Sequence, residues 1–185
     1  MTAREDIIED VLAAGLRVVF CGTQPGTQSA ARRAYYAGRG NRFWPTLHEI
    51  GLTPRRLQPE EFREVTRYGI GFTDLAKRSF GPDSAIEPRH VDVERLRLSV
   101  RRHAPGVIAF NGKKAASYAL GVPTGKLDYG ARLPLLEGCR VFVLPSTSGL
   151  ASGLWDIRHW RDLAEAVREQ DVKVQDLGSK PRATT

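Results

Sequence analysis

Three short apolar runs set narrow limits on what this chain can become. Val18-Val19-Phe20-Cys21, Val107-Ile108-Ala109-Phe110 and Val141-Phe142-Val143-Leu144 are unbroken and rich in β-branched residues, and each meets Gly, Asn or Pro at once. A run with no polar alternation has no face to turn to water, which is the pattern of a strand buried on both sides of a parallel sheet. Gly69 to Thr73 reads as a fourth, shorter strand. Helical spacing follows two of the runs, from Lys113 to Leu120 and from about Trp155 to Val167. Ile7, Ile8, Val11 and Leu12 predict a lead-in helix from Arg4 to Ala14, stopped by Gly15. Strands alternating with helices make the class α/β: a three-layer α/β/α sandwich around a central, mainly parallel sheet. With 185 residues the chain fits one such domain, taken as residues 1–170. From Asp171 to Thr185 no periodicity remains, and a flexible tail is expected.

Ligands of such sheets collect at the carboxyl ends of the strands. The loops Gly22 to Gly26, Asn111-Gly112 and Ser146 to Ser152 should therefore share one edge. The formal charge of +7, from 28 Lys and Arg against 21 Asp and Glu, points to an anionic partner, with nucleic acid first among the candidates. Two cysteines, Cys21 and Cys139, are too few for a four-cysteine metal site, and His48, His90, His103 and His159 lack paired spacing, so no metal is expected. The first residues do not form a signal peptide, no stretch has the length of a membrane span, and a cytoplasmic location follows as the expectation, nucleoid-associated if the source is bacterial.

The loops alone leave several chemistries open. Gly22-Thr23-Gln24-Pro25-Gly26 lacks the Gly-Lys-Ser/Thr of a P-loop and the spacing of a dinucleotide fingerprint, and fits a simple tight connection equally well. Ser146 and Ser148 have no nucleophile elbow around them, and local capping explains them. Asp74 is either an acid facing the site or a helix cap. Asn111 either reads a base edge or caps the helix after Gly112.

Taken together and in order, VVFCGTQPGTQSA, NRFWPTLHEIGLT, GIGFTDLAKR and LPSTSGLAS resemble the uracil-DNA glycosylase superfamily, in particular its mismatch-specific uracil and thymine-DNA glycosylase branch. The resemblance runs from about Glu9 to Glu169. It implies a uracil-DNA glycosylase-like fold and a monofunctional hydrolase without metal or cofactor. Such an enzyme excises uracil, leaves an abasic site, and acts as a monomer on DNA that contains uracil or mismatched bases.

A base inside a duplex is out of reach, so it must be flipped into a pocket, stacked and read at its edge. The departing base gathers negative charge that backbone N–H groups can accept, while water attacks the sugar. By resemblance, Gly22, Thr23, Pro25 and Gly26 form the pocket with Ser29, Tyr36 and Asn111, and Tyr36 stacks on the base. Gln24 stands where the family's loop has the Asn that holds the attacking water. An amide positions water without deprotonating it, so Asp74 is a second catalytic candidate. Ser146, Thr147, Ser148, Gly149, Leu150, Ala151 and Ser152 correspond to the insertion loop, with Leu150 as the wedge. Ser146 replaces the Asn or His that often starts that loop, and Ser152 replaces an Arg. Arg32, Arg33, Arg39, Arg42, Lys113 and Lys114 are candidates for phosphate contacts, or ordinary surface charges. The alternative is a protein that binds uracil or abasic sites through the same pocket with weak turnover.

Overall fold

A computed structural model describes residues 5–178, without the side chains of positions 134, 152 and 172–178. Five strands form one sheet in the order β2-β1-β3-β5-β4. They are β1 Val18–Gly22, β2 Ile70–Asp74, β3 Val107–Asn111, β4 Gly130–Leu136 and β5 Cys139–Leu144. The first four in that order are parallel, and β4 pairs antiparallel with β5 at the far edge. Helices α1 Thr27–Arg32, α2 Phe43–Glu49 and α5 Arg158–Gly178 accompany a 3-10 run, Pro59–Tyr68, and α3 Val93–His103 and α4 Lys113–Leu120 follow β2 and β3.

The period of two in each strand divides the core. Val18, Phe20, Ile70, Phe72, Val107, Ala109, Phe142 and Leu144 face a cluster built from α2, the 3-10 run and α5. Val19, Cys21, Ile108, Phe110, Val141 and Val143 face α3 and α4. Helices on both faces explain why the strand runs carry no polar alternation. The first face is the more aromatic: Phe20 stacks on Trp160 at 5.6 Å between centroids and meets Phe43 edge-on at 5.1 Å. Burying each such ring contributes about 1.5–3 kcal/mol, so this layer anchors the loops above it.

The lead-in segment is not a helix. Val11 exchanges two backbone hydrogen bonds with Phe72, each 2.9 Å, and so covers the open edge of β2. Ile8 and Val11 are both buried, and that three-residue interval, which mimics a helical stripe, serves here an extended segment laid along the sheet. At the other end, α5 starts at Arg158 and continues through Gly178, so the chain beyond Asp171 is helical up to that point. Residues 179–185 of the expected tail lie outside the described residues. Among the described residues no helix is long and apolar enough to cross a membrane.

Candidate functional site

Because β1, β2, β3 and β5 are parallel, the residues after Gly22, Asp74, Asn111 and Leu144 emerge at one edge of the sheet. Gly22 and Asp74 are register partners at the ends of β1 and β2. A Cβ on Gly22 would overlap Asp74 Oδ1 and stand 3.8 Å from the Tyr36 hydroxyl, so the missing side chain is what lets the carboxyl and the phenol approach the same point.

Asp74 does not cap a helix. It is buried, its Oδ2 has no hydrogen-bond partner, and the Tyr36 hydroxyl is likewise buried without one. Burial pushes the Asp74 carboxyl up to about 7; Lys77 and Arg95 pull it back, while Asp10 and Asp83 add to the rise. The Tyr36 phenol is held well above its usual range by burial first and by the Asp74 charge second. At neutral pH the site thus holds a carboxyl near half-ionisation and a phenol that keeps its proton. The Asn111 amide pulls the phenol back toward its usual range, although no hydrogen bond of ordinary geometry closes between them. Each of these unpartnered buried oxygens carries a desolvation cost.

Tyr36 is held by its neighbours in a left-handed backbone conformation, φ 55°. One ring face stacks on Phe43 at 3.8 Å, and Phe72 meets the ring edge-on. Ser29 Oγ accepts the Ala37 N–H at 3.0 Å, which ties α1 to the turn that carries Tyr36.

The Gly22–Gly26 loop leans on the segment after β2. Leu75 N–H donates to Gly22 O, Ala76 N–H to Thr23 O and Gly81 N–H to Pro25 O, at 2.8–3.0 Å. In a trans peptide the N–H points opposite to the C=O. The N–H groups of Thr23, Gln24 and Gly26 therefore face away from that segment, which suits them to a developing anion. Gln24 turns its amide toward the segment instead: Nε2 donates to Gly81 O at 3.3 Å and Pro82 O at 3.2 Å, and Oε1 accepts from Ser79 Oγ at 2.8 Å.

On the other side of the edge, both ends of the Asn111 amide are engaged by Thr147. Nδ2 donates to Oγ1 at 2.9 Å and Oδ1 accepts the backbone N–H at 3.0 Å. The cap position of α4 is Gly112, with no side-chain bond. Thr147 O accepts the Arg42 N–H at 2.9 Å and Pro145 O accepts Trp160 Nε1 at 3.1 Å, so the start of the loop is fixed at three points. Ser146 Oγ accepts the Ser148 N–H and Ser148 Oγ the Leu150 N–H, turning the chain into a 3-10 segment from Gly149. Gly149 lies against the Gly40 carbonyl. Leu150 projects from this base with 89% of its surface exposed, and Ala151 follows half-buried. The Ser152 side chain lies outside the described residues.

The basic candidates divide. Arg32 is paired with Glu60 and donates to Ala37 O at 3.0 Å; Arg42 lies 5.5 Å over the Trp155 ring, with one guanidinium nitrogen buried and unpartnered. Lys113 sits 4.6 Å over Tyr129, and Lys114 is exposed, 5.3 Å over Tyr118. Arg33 and Arg39 are exposed, and among the described residues neither has a carboxylate within 4.0 Å. Arg39 lines an open groove of about 290 Å³ with Gln28, Tyr36, Asn41, Arg56 and Gln58. The groove shares Tyr36 with the buried site but does not reach Asp74, and its polar, basic lining suits a backbone rather than a base.

Several participants gave no sequence signal. Arg95 donates to the Asp74 backbone oxygen and pairs with Asp10 at 2.7 Å, and Asp10 also pairs with the buried Lys77 at 2.7 Å. Lys77 Nζ donates to Tyr35 OH at 2.9 Å, under the aromatic layer. These contacts join positions far apart in the chain. The Gly81-Pro82 dipeptide was the only local hint that the segment after β2 is an ordered turn.

A sequence model described as the uracil DNA glycosylase superfamily matches residues 9–164. Among solved structures, the chain is similar to the solution NMR structure of a candidate uracil DNA glycosylase from Methanosarcina acetivorans. The identity is 25%, the TM-score 0.61, and the match covers 89% of this chain and 96% of that one.

Proposed function

The chain belongs to the uracil DNA glycosylase superfamily, and from that premise we propose that it is a monofunctional glycosylase that flips uracil out of DNA and hydrolyses its N-glycosidic bond. The superfamily supports a glycosylase type of chemistry on DNA; uracil as the base, and kinship with the mismatch-specific branch, are our reading. The observation that carries it is the approach of the Asp74 carboxyl and the Tyr36 hydroxyl to the space left by Gly22, with Asp74 Oδ2 and Tyr36 OH both buried without a hydrogen-bond partner.

Asp74, with its carboxyl at about 7, takes a proton from water as the oxygen bonds to C1′. The C1′–N1 bond breaks, the electron pair stays on the base, and the base leaves as an anion to be protonated. Backbone N–H groups of Thr23, Gln24 and Gly26 receive that charge. Gln24 positions its own loop against Ser79–Pro82 and leaves the water to Asp74. Lys77, the buried amine nearest this chemistry, is committed to Asp10 and Tyr35, which favours hydrolysis over a Schiff-base step. The partner is DNA carrying uracil or a mismatched base, met by a monomer in the cytoplasm, with Leu150 entering the space the nucleotide leaves.

The test incubates the protein with uracil-containing single- and double-stranded oligonucleotides and then treats them with alkali. Strand cleavage at the uracil position, with free uracil released, is the expected result. Tight retention of the DNA with no alkali-labile product at stoichiometric protein would replace the hydrolase by a uracil- or abasic-site-binding protein.

A further inference from the structure

We propose that Phe80 is a DNA contact, a stacking platform for a base next to the extruded nucleotide on the side away from Leu150, and that Gln24 holds it in place. This rests on the glycosylase reading above.

Of seven phenylalanines, Phe20, Phe43, Phe62, Phe72, Phe110 and Phe142 are no more than 3% exposed, and Phe80 is 57% exposed. Such a ring ordinarily sits on a yielding loop. Here its neighbours are tied down on both sides: Ser79 by the Gln24 oxygen at 2.8 Å, Gly81 and Pro82 by the Gln24 amide at 3.3 and 3.2 Å, and Gly81 again by Pro25 O at 2.9 Å. Gln24 itself is buried, and the three bonds it makes all end on this short segment. A buried amide spent on presenting an exposed aromatic ring has no benefit for the core.

The place of the ring in the fold names its occupant. Phe80 follows β2 and Leu150 follows β5, the outer two of four parallel strands. With strands about 4.8 Å apart, their roots are separated by roughly 14 Å across the edge of the sheet, with the Gly22 and Asn111 ends between them. A DNA strand lying across that edge meets Leu150, the flipped nucleotide and Phe80 in turn. Arg78, two residues before Phe80, has a side chain 60% exposed with its carboxylate neighbour Asp6 at 4.0 Å, and supplies a cation on the same segment. Aromatic stacking accepts any base, so the contact adds grip without adding sequence preference.

The experiment measures fluorescence anisotropy of a labelled single-stranded oligonucleotide containing uracil, with excision followed in parallel. The proteins are the wild type and the Phe80→Ala, Phe80→Tyr, Gln24→Ala, Gln24→Ala/Phe80→Ala and Leu98→Ala variants. Leu98, 58% exposed on α3, is the control for loss of exposed apolar surface. Phe80→Ala is expected to weaken binding about 5- to 100-fold, Phe80→Tyr to restore it within about twofold, and Leu98→Ala to leave it unchanged. The double variant should lose less binding than the two single losses combined, because part of what Gln24 contributes, the latch on Ser79–Pro82, acts through the ring and the rest through the Gly22–Gly26 loop. Wild-type binding by Phe80→Ala, or an equal loss in Leu98→Ala, overturns the contact; a fully additive double variant overturns the latch. If the wild type releases no base while Phe80→Ala still loses binding, the stacking contact stands and the glycosylase reading fails.

Discussion

The two loops that flank the site treat their polar groups in opposite ways. In the loop after β5, the Thr147 and Pro145 groups are paired with the Asn111 amide, the Arg42 backbone N–H and Trp160 Nε1, and the loop ends in an apolar tip open to solvent. Around Gly22, Asp74 Oδ2 and Tyr36 OH are buried without partners, and the carboxyl is pushed up to about 7. A satisfied network stiffens what it holds, while a buried polar group without a partner costs the fold stability. In the function we propose, chemistry belongs to the second loop and positioning to the first.

The sharpest way to break that division is Asp74→Asn, which keeps the shape and removes the base. Excision should fall about 10²- to 10⁴-fold in single-turnover assays while DNA binding and the melting temperature hold or rise. Gly22→Ala places a methyl against Asp74 Oδ1; displacing the carboxyl by about 1 Å should cost on the order of 100-fold in the same assay, with circular dichroism unchanged. Asn111→Ala strands the Thr147 groups, and denaturant titration should show a loss of about 1–3 kcal/mol, with a smaller fall in rate. Leu150→Ala should leave stability alone and lower excision several-fold on duplex but not on single-stranded DNA, as measured by paired initial rates.

A fifth expectation concerns pH and stability. The unfolded Asp74 carboxyl ionises near pH 4 and the folded one at about 7, so between these values the folded chain holds one proton more than the unfolded chain. The Asp74 contribution to stability therefore declines as pH rises from about 4 to about 7 and is level above that. Denaturant midpoints of the wild type and Asp74→Asn, compared across that range, should diverge with rising pH in favour of the variant.

What the sequence disclosed follows the range of the forces involved. Strands β1, β3 and β5 and helix α4 were legible because burial on both faces and a helical stripe are written in adjacent residues. The lead-in segment departs from the expected helix because Ile8 and Val11 obey a helical interval while the backbone partner of Val11, Phe72, lies far along the chain. Strand β4 was missed because Gly130–Leu136, on an antiparallel edge, is interrupted by Arg132 and Pro134. At the site, Gly22 and Tyr36 enter through the family resemblance, and Asp74 in its own loop reads as either an acid facing the site or a helix cap. The occupation of Gln24 by Ser79, Gly81 and Pro82, and of Asn111 by Thr147, is tertiary pairing that spacing does not encode.

The most direct measurement is the pH dependence of the single-turnover rate on a uracil-containing oligonucleotide, for the wild type and Asp74→Asn at saturating protein. The wild-type rate should climb about tenfold per pH unit at acid pH and level off near 7, while the variant is at least 100-fold slower and flat. A variant as fast as the wild type, or one that keeps the same inflection near pH 7, would contradict Asp74 as the group that activates water.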